Sequence, residues 1–130
     1  MLIRLFDGAV EQLTRGLAYA TARHSLIAQN IANVETPGYQ PRDLVFDDYL
    51  KPSVEPVSGD PPPGLLPIGP AGRRPRLVAL ADSAPRPDGN RVHLDRQMAR
   101  LAENTLYQHT LVQILAGQFN TLKQAISGRV

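Results

Sequence analysis

Three histidines are the residues whose type most readily suggests metal binding or proton transfer. They are His24, His93 and His109, and the sequence has no cysteine that would complete a zinc-thiolate set. Their separations do not match the short spacings that are typical of protein metal ligands. We therefore interpret the imidazoles as side chains of the surface or of a helix interface, and predict no metal site.

The other groups that could carry a reaction do not assemble a catalytic pattern either. Asp47 and Asp48 form a carboxylate pair, but adjacent acidic residues are typical of a solvated turn. No serine lies in the sequence context of a nucleophile elbow. Neither a dinucleotide-binding glycine fingerprint nor a phosphate-binding loop is present. The sequence predicts no active site and no cofactor, and hence a protein that is not an enzyme.

The one basic cluster is Arg73-Arg74-Pro75-Arg76. The formal net charge of the chain is only +2, and tryptophan, which often stacks on nucleic-acid bases, is absent. We favour a solvated segment or a contact with an acidic neighbour, and predict no nucleic-acid partner. A basic module for nucleic acid or an anionic membrane is the alternative, and its binding would weaken steeply with salt.

A heptad pattern begins near the first residue and predicts a long helix. Nine of its ten positions are apolar: Ile3, Phe6, Val10, Leu13, Leu17, Ala20, His24, Ile27, Ile31 and Val34, with His24 the exception. Pro37 disfavours the helical conformation at Thr36, so we expect the helix to end near Asn33 or Val34. Pro37-Gly38 then predicts a turn.

A second heptad pattern predicts another long helix at the other end. Eight of its ten positions are apolar: Leu94, Met98, Leu101, Thr105, Gln108, Val112, Leu115, Phe119, Leu122 and Ile126, with Thr105 and Gln108 the exceptions. Asp95 is the predicted N-cap and Gly128 the predicted terminator.

The middle of the chain contains all twelve prolines, between Pro37 and Pro87. Residues 51–76 hold most of them, and we expect this segment to be extended because proline removes the backbone donors that helices and central strands need. Residues 42–50 are less polar, and predict a docked turn of helix. Residues 77–80 predict a short strand.

The predicted fold is all-α, with long N- and C-terminal helices packed as an antiparallel coiled coil and joined by an extended proline-rich segment. We expect one domain, with residues 1–36 as the N-terminal helix, 37–90 as the extended segment and 91–130 as the C-terminal helix. The predicted helix seam consists of Leu13, Leu17, Ile27, Ile31, Leu101, Val112, Leu115, Phe119 and Leu122. Two helices have a thin core, so we expect other subunits to complete it.

The simplest register of this pair brings its polar exceptions together. Aligning the two stripes places Leu13 opposite Leu115, Leu17 opposite Val112, Ile27 opposite Leu101 and Ile31 opposite Met98. His24 then falls opposite Thr105, with Gln108 one layer away. We interpret these three residues as a polar layer that fixes the helix register.

The N-terminus does not resemble a secretory signal. Arg4, Asp7 and Glu11 interrupt any apolar core, and no small-residue cleavage site follows. Nowhere in the sequence is there the run of about 20 apolar residues that a membrane span needs. We therefore expect no cleaved signal peptide and no direct membrane insertion.

Two stretches resemble the bacterial flagellar axial proteins. The first contains Asn30, Asn33, Thr36, Pro37, Gly38 and Tyr39, and resembles the family signature N-x-A-N-x-x-T-x-G-Y. The second, residues 89–104, is similar to the G-N-x-V-x-L-D-x-E-M-x-x-L-A-E-N stretch of basal-body rod proteins in this family. Gln97 takes the position where glutamate is usual.

The resemblance implies a non-enzymatic structural subunit of the flagellar proximal rod. Such a subunit polymerises through its terminal helices, links the base formed by the membrane ring and the export gate to the rest of the rod, and transmits torque. Its implied partners are other rod subunits, the rod–membrane-ring adaptor protein, export-gate and membrane-ring components, and copies of itself. Its implied location is the periplasmic rod of the basal body, reached by type III export without a cleaved signal peptide.

The six residues of the first stretch are the predicted assembly motif: Asn30, Asn33, Thr36, Pro37, Gly38 and Tyr39. A specified helix end is unnecessary if only a linker follows, so we expect this block to contact a neighbouring subunit. The alternative function is a helical-hairpin adaptor or chaperone that binds one partner helix in its groove.

Overall fold

The computed structural model describes residues 2–46, 77–80 and 84–128, and the side chains from residue 6 onward within them. Helix α1 spans Leu2–Ala32, strand β1 Arg42–Leu44, strand β2 Leu77–Ala79 and helix α2 Leu94–Ser127. The two long terminal helices of the sequence prediction are confirmed. The predictions for residues 51–76, for the Asp47-Asp48 pair and for the Arg73 cluster lie outside the described residues.

Helix α1 ends one or two residues before the predicted position. Its last turn tightens, because the Val34 N–H donates to the carbonyl of Ile31 at 3.1 Å, a three-residue rather than a four-residue step. Gly38 has a φ of 74°, which a residue with a side chain rarely adopts. The predicted turn at Pro37-Gly38 therefore follows the helix directly.

Helix α2 begins two residues earlier than the predicted N-cap implies. Its N-cap is His93, which makes no capping hydrogen bond with its side chain. Asp95 lies inside the first turn instead, so its prediction as the N-cap is wrong, although its carboxylate there interacts favourably with the helix dipole. Gly128 ends the helix in the left-handed conformation at a φ of 62°, as predicted.

A small antiparallel sheet corrects the all-α prediction. Strand β1 pairs with β2 so that Arg42 lies opposite Ala79 and Leu44 opposite Leu77. The predicted strand at 77–80 is confirmed for Leu77–Ala79, whereas the predicted turn of helix at 42–50 is wrong for residues 42–44, which form β1. The reason is tertiary, since β1 finds its pairing partner more than 30 residues further along the chain.

The two helices run antiparallel. Asn30 near the end of α1 bonds Gln97 near the start of α2, and further along Leu111 reaches Gly16. A Cβ added to Gly16 would lie 3.0 Å from Cδ1 of Leu111, so a glycine here permits the close approach. Ala20, Leu26 and Ile27 of α1 are buried in the hydrophobic core.

The observed contacts differ in phase from the predicted register. Val112 and Met98 were expected opposite Leu17 and Ile31, yet they are 50% and 51% exposed. The buried residues of α2 are instead Gln97, Asn104 and Leu111, which lie one position earlier in the heptad. Helix α2 therefore turns a partly polar face, rather than its most apolar one, toward α1.

The predicted polar layer is also wrong in its residues. His24 is exposed, and the hydroxyl of Thr105 donates to the carbonyl of Leu101 in its own helix, at 2.8 Å. Buried polar side chains do exist in the helix pair, but they are carboxamides elsewhere along the two helices.

Within the described residues, neither helix has a window that is apolar enough to cross a bilayer.

Candidate assembly site

Asn30 is the central residue of the block that follows the apolar stripe of α1. Its side chain is fully buried. Its Oδ1 accepts hydrogen bonds from the Arg42 N–H and the Tyr39 hydroxyl, each at 3.2 Å. Its Nδ2 donates to the Arg42 carbonyl at 2.8 Å and to Oε1 of Gln97 at 3.2 Å. The two donors and two acceptor sites of one carboxamide are thus all used, and they connect α1, β1 and α2.

Asn33 organises the helix end. Its Nδ2 donates to the Gln29 carbonyl at 2.8 Å, and the same carbonyl accepts the backbone N–H of Asn33 at 3.2 Å. Its Oδ1 accepts a hydrogen bond from the Thr36 hydroxyl at 3.1 Å. The Thr36 N–H donates to the Asn33 carbonyl at 3.0 Å, so side chain and backbone together close the turn.

The six predicted motif residues divide into two groups. Asn30 and Tyr39 point inward and use their polar atoms within the chain. Thr36, Pro37 and Gly38 are exposed at the tip of the turn, and Asn33 is half-buried beneath them. Among the six motif residues, Thr36, Pro37 and Gly38 are therefore the ones with the most exposed surface.

Asn90 holds the approach to α2 against the end of α1. It is 3% exposed. Its Nδ2 donates to the carbonyl of Val34, and its Oδ1 accepts the Val92 N–H at 2.9 Å. Its own N–H donates to Oδ1 of Asp88 at 3.0 Å. The residues around both resembling stretches thus meet at one end of the helix pair.

Asn104 ties the middle of the two helices together. It is 1% exposed, and its Nδ2 donates to the Ala20 carbonyl at 2.8 Å. Our sequence prediction missed the structural role of Asn90, Gln97 and Asn104. A signal was present, since these three carboxamides recur at intervals of seven residues and the series continues to Leu111.

Arg23 and Asp43 form a two-point ion pair between α1 and β1. Nε and Nη2 of Arg23 each lie 2.9 Å from a carboxylate oxygen of Asp43. Their side chains are 17% and 14% exposed, so the pair is largely shielded from water. The hydrogen bond to Asp43 raises the pKa of the Arg23 guanidinium, which is therefore always charged.

An aromatic cluster lies beside this ion pair. Tyr19 contacts Phe46 edge-on, with ring centroids 4.9 Å apart, and Tyr107 of α2 completes the cluster. Burial raises the pKa of the Tyr19 and Tyr107 phenols above the ordinary value of 10.0. Both side chains are therefore uncharged at neutral pH. The cluster packs α1, α2 and Phe46, two residues after β1, by apolar contact.

The predicted seam residues are placed as follows. Ile27 is buried, and six others are half-buried: Leu13, Leu17, Ile31, Leu101, Leu115 and Leu122. Val112 and Phe119 are exposed. Together with three other exposed side chains of α2, they form a surface that we call the outer stripe: Leu94, Met98, Val112, Phe119 and Ile126.

The described side chains offer binding surfaces rather than reactive groups. Across the described ranges, no three histidine or acidic side chains lie close enough together to hold a metal ion. The buried polar side chains are carboxamides that each make at least one hydrogen bond, although Oδ1 of Asn104 has no partner among the described residues, and the exposed features are an apolar stripe and a turn tip. This arrangement is suited to packing against other proteins.

Comparison with known proteins relates this chain to flagellar rod proteins over almost its whole length, although no protein-family model matches it. It is 30% identical over 139 residues to a flagellar basal body rod protein of Salmonella typhimurium, covering 98% of this chain and 99% of the relative. The chain is a structural component of the flagellar basal-body rod, and not an enzyme.

Other bacteria have similar proteins. The flagellar basal body rod protein FlgB of Bacillus subtilis is 29% identical over 127 residues, covering 95% of this chain and 97% of the relative. FlgB of Aquifex aeolicus is 29% identical over 125 residues, covering 96% and 97%. The Salmonella relative is also a FlgB. The chain belongs to the FlgB family of flagellar basal body rod proteins.

Proposed function

We propose that this chain is a subunit of the proximal rod and polymerises through its terminal helices. In this role it links the base of membrane ring and export gate to the rest of the rod and transmits torque. Its neighbours are other rod subunits, the adaptor protein between rod and membrane ring, components of that base, and copies of itself. It reaches the periplasmic rod by type III export, without a cleaved signal peptide.

The observation that carries this proposal is the outer stripe of α2. Met98, Val112, Phe119 and Ile126 occupy one heptad position and are all at least half exposed. A repeat of seven residues keeps one face of a helix turned toward a partner helix over many turns. A coiled-coil contact with a neighbouring subunit would bury this face, which α1 leaves open.

The outer stripe gives the most direct test. Phe119→Asp is expected to leave the helix content of the isolated chain unchanged, because Phe119 is exposed there. In a cell that carries it as the only copy, the charge would enter an interface and cost about 2 kcal/mol or more, as loss of a buried aromatic anchor does. Electron microscopy of purified basal bodies should then show rods missing, and swimming should be abolished.

The matched control is Asn120→Asp, which introduces the same charge at the next, also exposed, residue. It should assemble rods and swim normally. Normal rods with Phe119→Asp, or in cells lacking the chain altogether, would contradict the proposal. A helical-hairpin adaptor or chaperone would leave rods intact and bind a single partner helix instead.

We further propose that the tip of the turn, residues 36–38, contacts a neighbouring subunit with support from Asn33. Replacing Pro37-Gly38 by Ala-Ala removes the residue that interrupts the helix and the one that has a φ of 74°. The chain after α1 should then be misdirected, and swimming in soft agar should fall severely. Thr36→Ala keeps both Pro37 and Gly38, which set the backbone of the turn, and serves as a milder comparison. Undiminished swimming with Ala-Ala would refute this contact.

A further inference from the structure

We propose that four buried carboxamides form an uncharged lock that fixes the antiparallel register of α1 and α2. The amide lock consists of Asn30, Asn90, Gln97 and Asn104, each no more than 3% exposed. This inference concerns how the subunit sets its own shape, and it holds whichever neighbours the subunit has.

The lock joins the helices at three levels. Asn104 donates to the Ala20 carbonyl at 2.8 Å in the middle of the pair. Asn30 donates to Gln97 at 3.2 Å toward the end of α1. Asn90 donates to the Val34 carbonyl just beyond that end. Because each bond joins the α1 side of the pair to the α2 side, all three depend on the same register.

Asn30 also carries this register to the sheet. Its carboxamide pairs with both the N–H and the carbonyl of Arg42, as a neighbouring strand would. That contact places β1 against α1, and the Arg23–Asp43 ion pair supports it further along. A change of register would therefore be opposed by the sheet as well as by α2.

The apolar contacts alone would not select one register. Apolar packing has no direction, and a heptad stripe presents similar side chains after a slip of seven residues. Buried carboxamides behave differently, even though three of them recur every seven residues. A slip of one heptad would put Leu111 in the place of Asn104 at the Ala20 carbonyl in one direction. In the other direction, Asn90 would have to leave the Val34 carbonyl to replace Gln97, so either slip leaves a buried donor or acceptor unpaired away from water. A few buried polar residues are known to specify alignment in coiled coils in this way.

Distances between two spin labels test the lock directly, since the chain has no cysteine to interfere. The label sites are Ala28→Cys and Ala116→Cys, which are exposed and far apart along the pair. Labelled chain diluted in unlabelled chain should give one narrow distance. Asn30→Leu with Gln97→Met should add a population displaced by about 10 Å, the rise of one heptad.

Matched substitutions control for the change in polarity. Asn120→Leu with Gln113→Met makes the same two exchanges at exposed positions of α2, and should keep the single distance. A single unchanged distance in the Asn30→Leu, Gln97→Met chain would overturn the lock. So would the absence of a defined distance in the unsubstituted chain.

If the double variant loses its helix content, two single variants test whether the amide lock fixes the register. Gln97→Glu, measured with Gln97→Leu at about pH 4, where a buried carboxyl stays protonated, retains an uncharged oxygen that accepts the bond from Asn30 and should keep the single distance. Gln97→Leu removes that acceptor, and should broaden the distribution. Equal distributions for the two would overturn the lock.

Discussion

Asn30→Asp is expected to destabilise the protein by about 3–5 kcal/mol at neutral pH, the cost of an uncompensated buried charge. Asparagine and aspartate have nearly the same shape, so the effect is electronic rather than steric. In the unsubstituted protein, Nδ2 of Asn30 donates to the Arg42 carbonyl at 2.8 Å and to Oε1 of Gln97 at 3.2 Å. A carboxylate oxygen in its place has no hydrogen to donate, and would face these two acceptors. Denaturant titration followed by circular dichroism measures the loss.

The same variant should depend on pH in a defined direction. Burial beside two acceptors raises the folded-state pKa of the introduced carboxyl above its unfolded value. The destabilisation is therefore absent below the unfolded pKa and grows as pH rises toward the folded one. Asn120→Asp, at an exposed site, should show neither effect. Equal stability of the two variants at neutral pH would mean that Asn30 is not buried as described.

Asp43→Ala is expected to cost about 3 kcal/mol, because it leaves the Arg23 guanidinium shielded from water without its partner. It also removes the oxygen that accepts the Leu44 N–H at 2.9 Å. Arg23→Met should cost less, since the Asp43 carboxylate would still accept the hydrogen bond from the Leu44 N–H. Denaturant titration of each variant gives the two free energies of unfolding.

The double variant separates the interaction energy of the ion pair from the effects of the two single substitutions. Arg23→Met with Asp43→Ala should be more stable than the sum of the single losses predicts, because it leaves no charge unpaired. The surface pair Arg15–Glu11, 2.6 Å apart with Glu11 58% exposed, is the comparison and should contribute less than about 1 kcal/mol. Strict additivity at Arg23 and Asp43 would show that the two charges do not interact.

The helices could be predicted from the sequence because their determinants are local. The heptad stripe and Pro37 gave the end of α1 to within two residues, and Gly128 gave the end of α2. Strand β1 could not be found in this way, since three residues of mixed polarity become a strand only by pairing with β2. Its existence depends on contacts distant in sequence, which local propensity does not contain.

The face that α2 turns toward α1 was predicted wrongly for a physical reason. Two neighbouring heptad positions compete, one containing Met98 and Val112, the other Gln97 and Asn104. Apolarity favours the first, and the prediction followed it. The fold uses the second, where hydrogen bonds compensate the burial of the amides. We assigned the polar layer to His24, Thr105 and Gln108, whereas the buried polar side chains of the helix pair are Asn30, Gln97 and Asn104.

The six residues of the predicted assembly motif were singled out by resemblance, whereas their contacts within the chain needed the structure. Asn30 and Tyr39 serve the chain's own packing, and Thr36, Pro37 and Gly38 form an exposed tip. Sequence alone gives no way to separate these roles, because an asparagine at a helix end bonds its own helix, a distant strand or solvent equally well.

The pairing of β1 with β2 also identifies a permissive insertion point. With Leu44 opposite Leu77, the ladder itself holds together the two ends of the segment between them. We expect a flexible peptide inserted between β1 and β2 to leave both strands paired, because each doubling in the length of a connecting loop costs only about 0.6 kcal/mol. An epitope tag or fluorogenic peptide inserted there would let the subunit be followed in living cells with both helices unaltered.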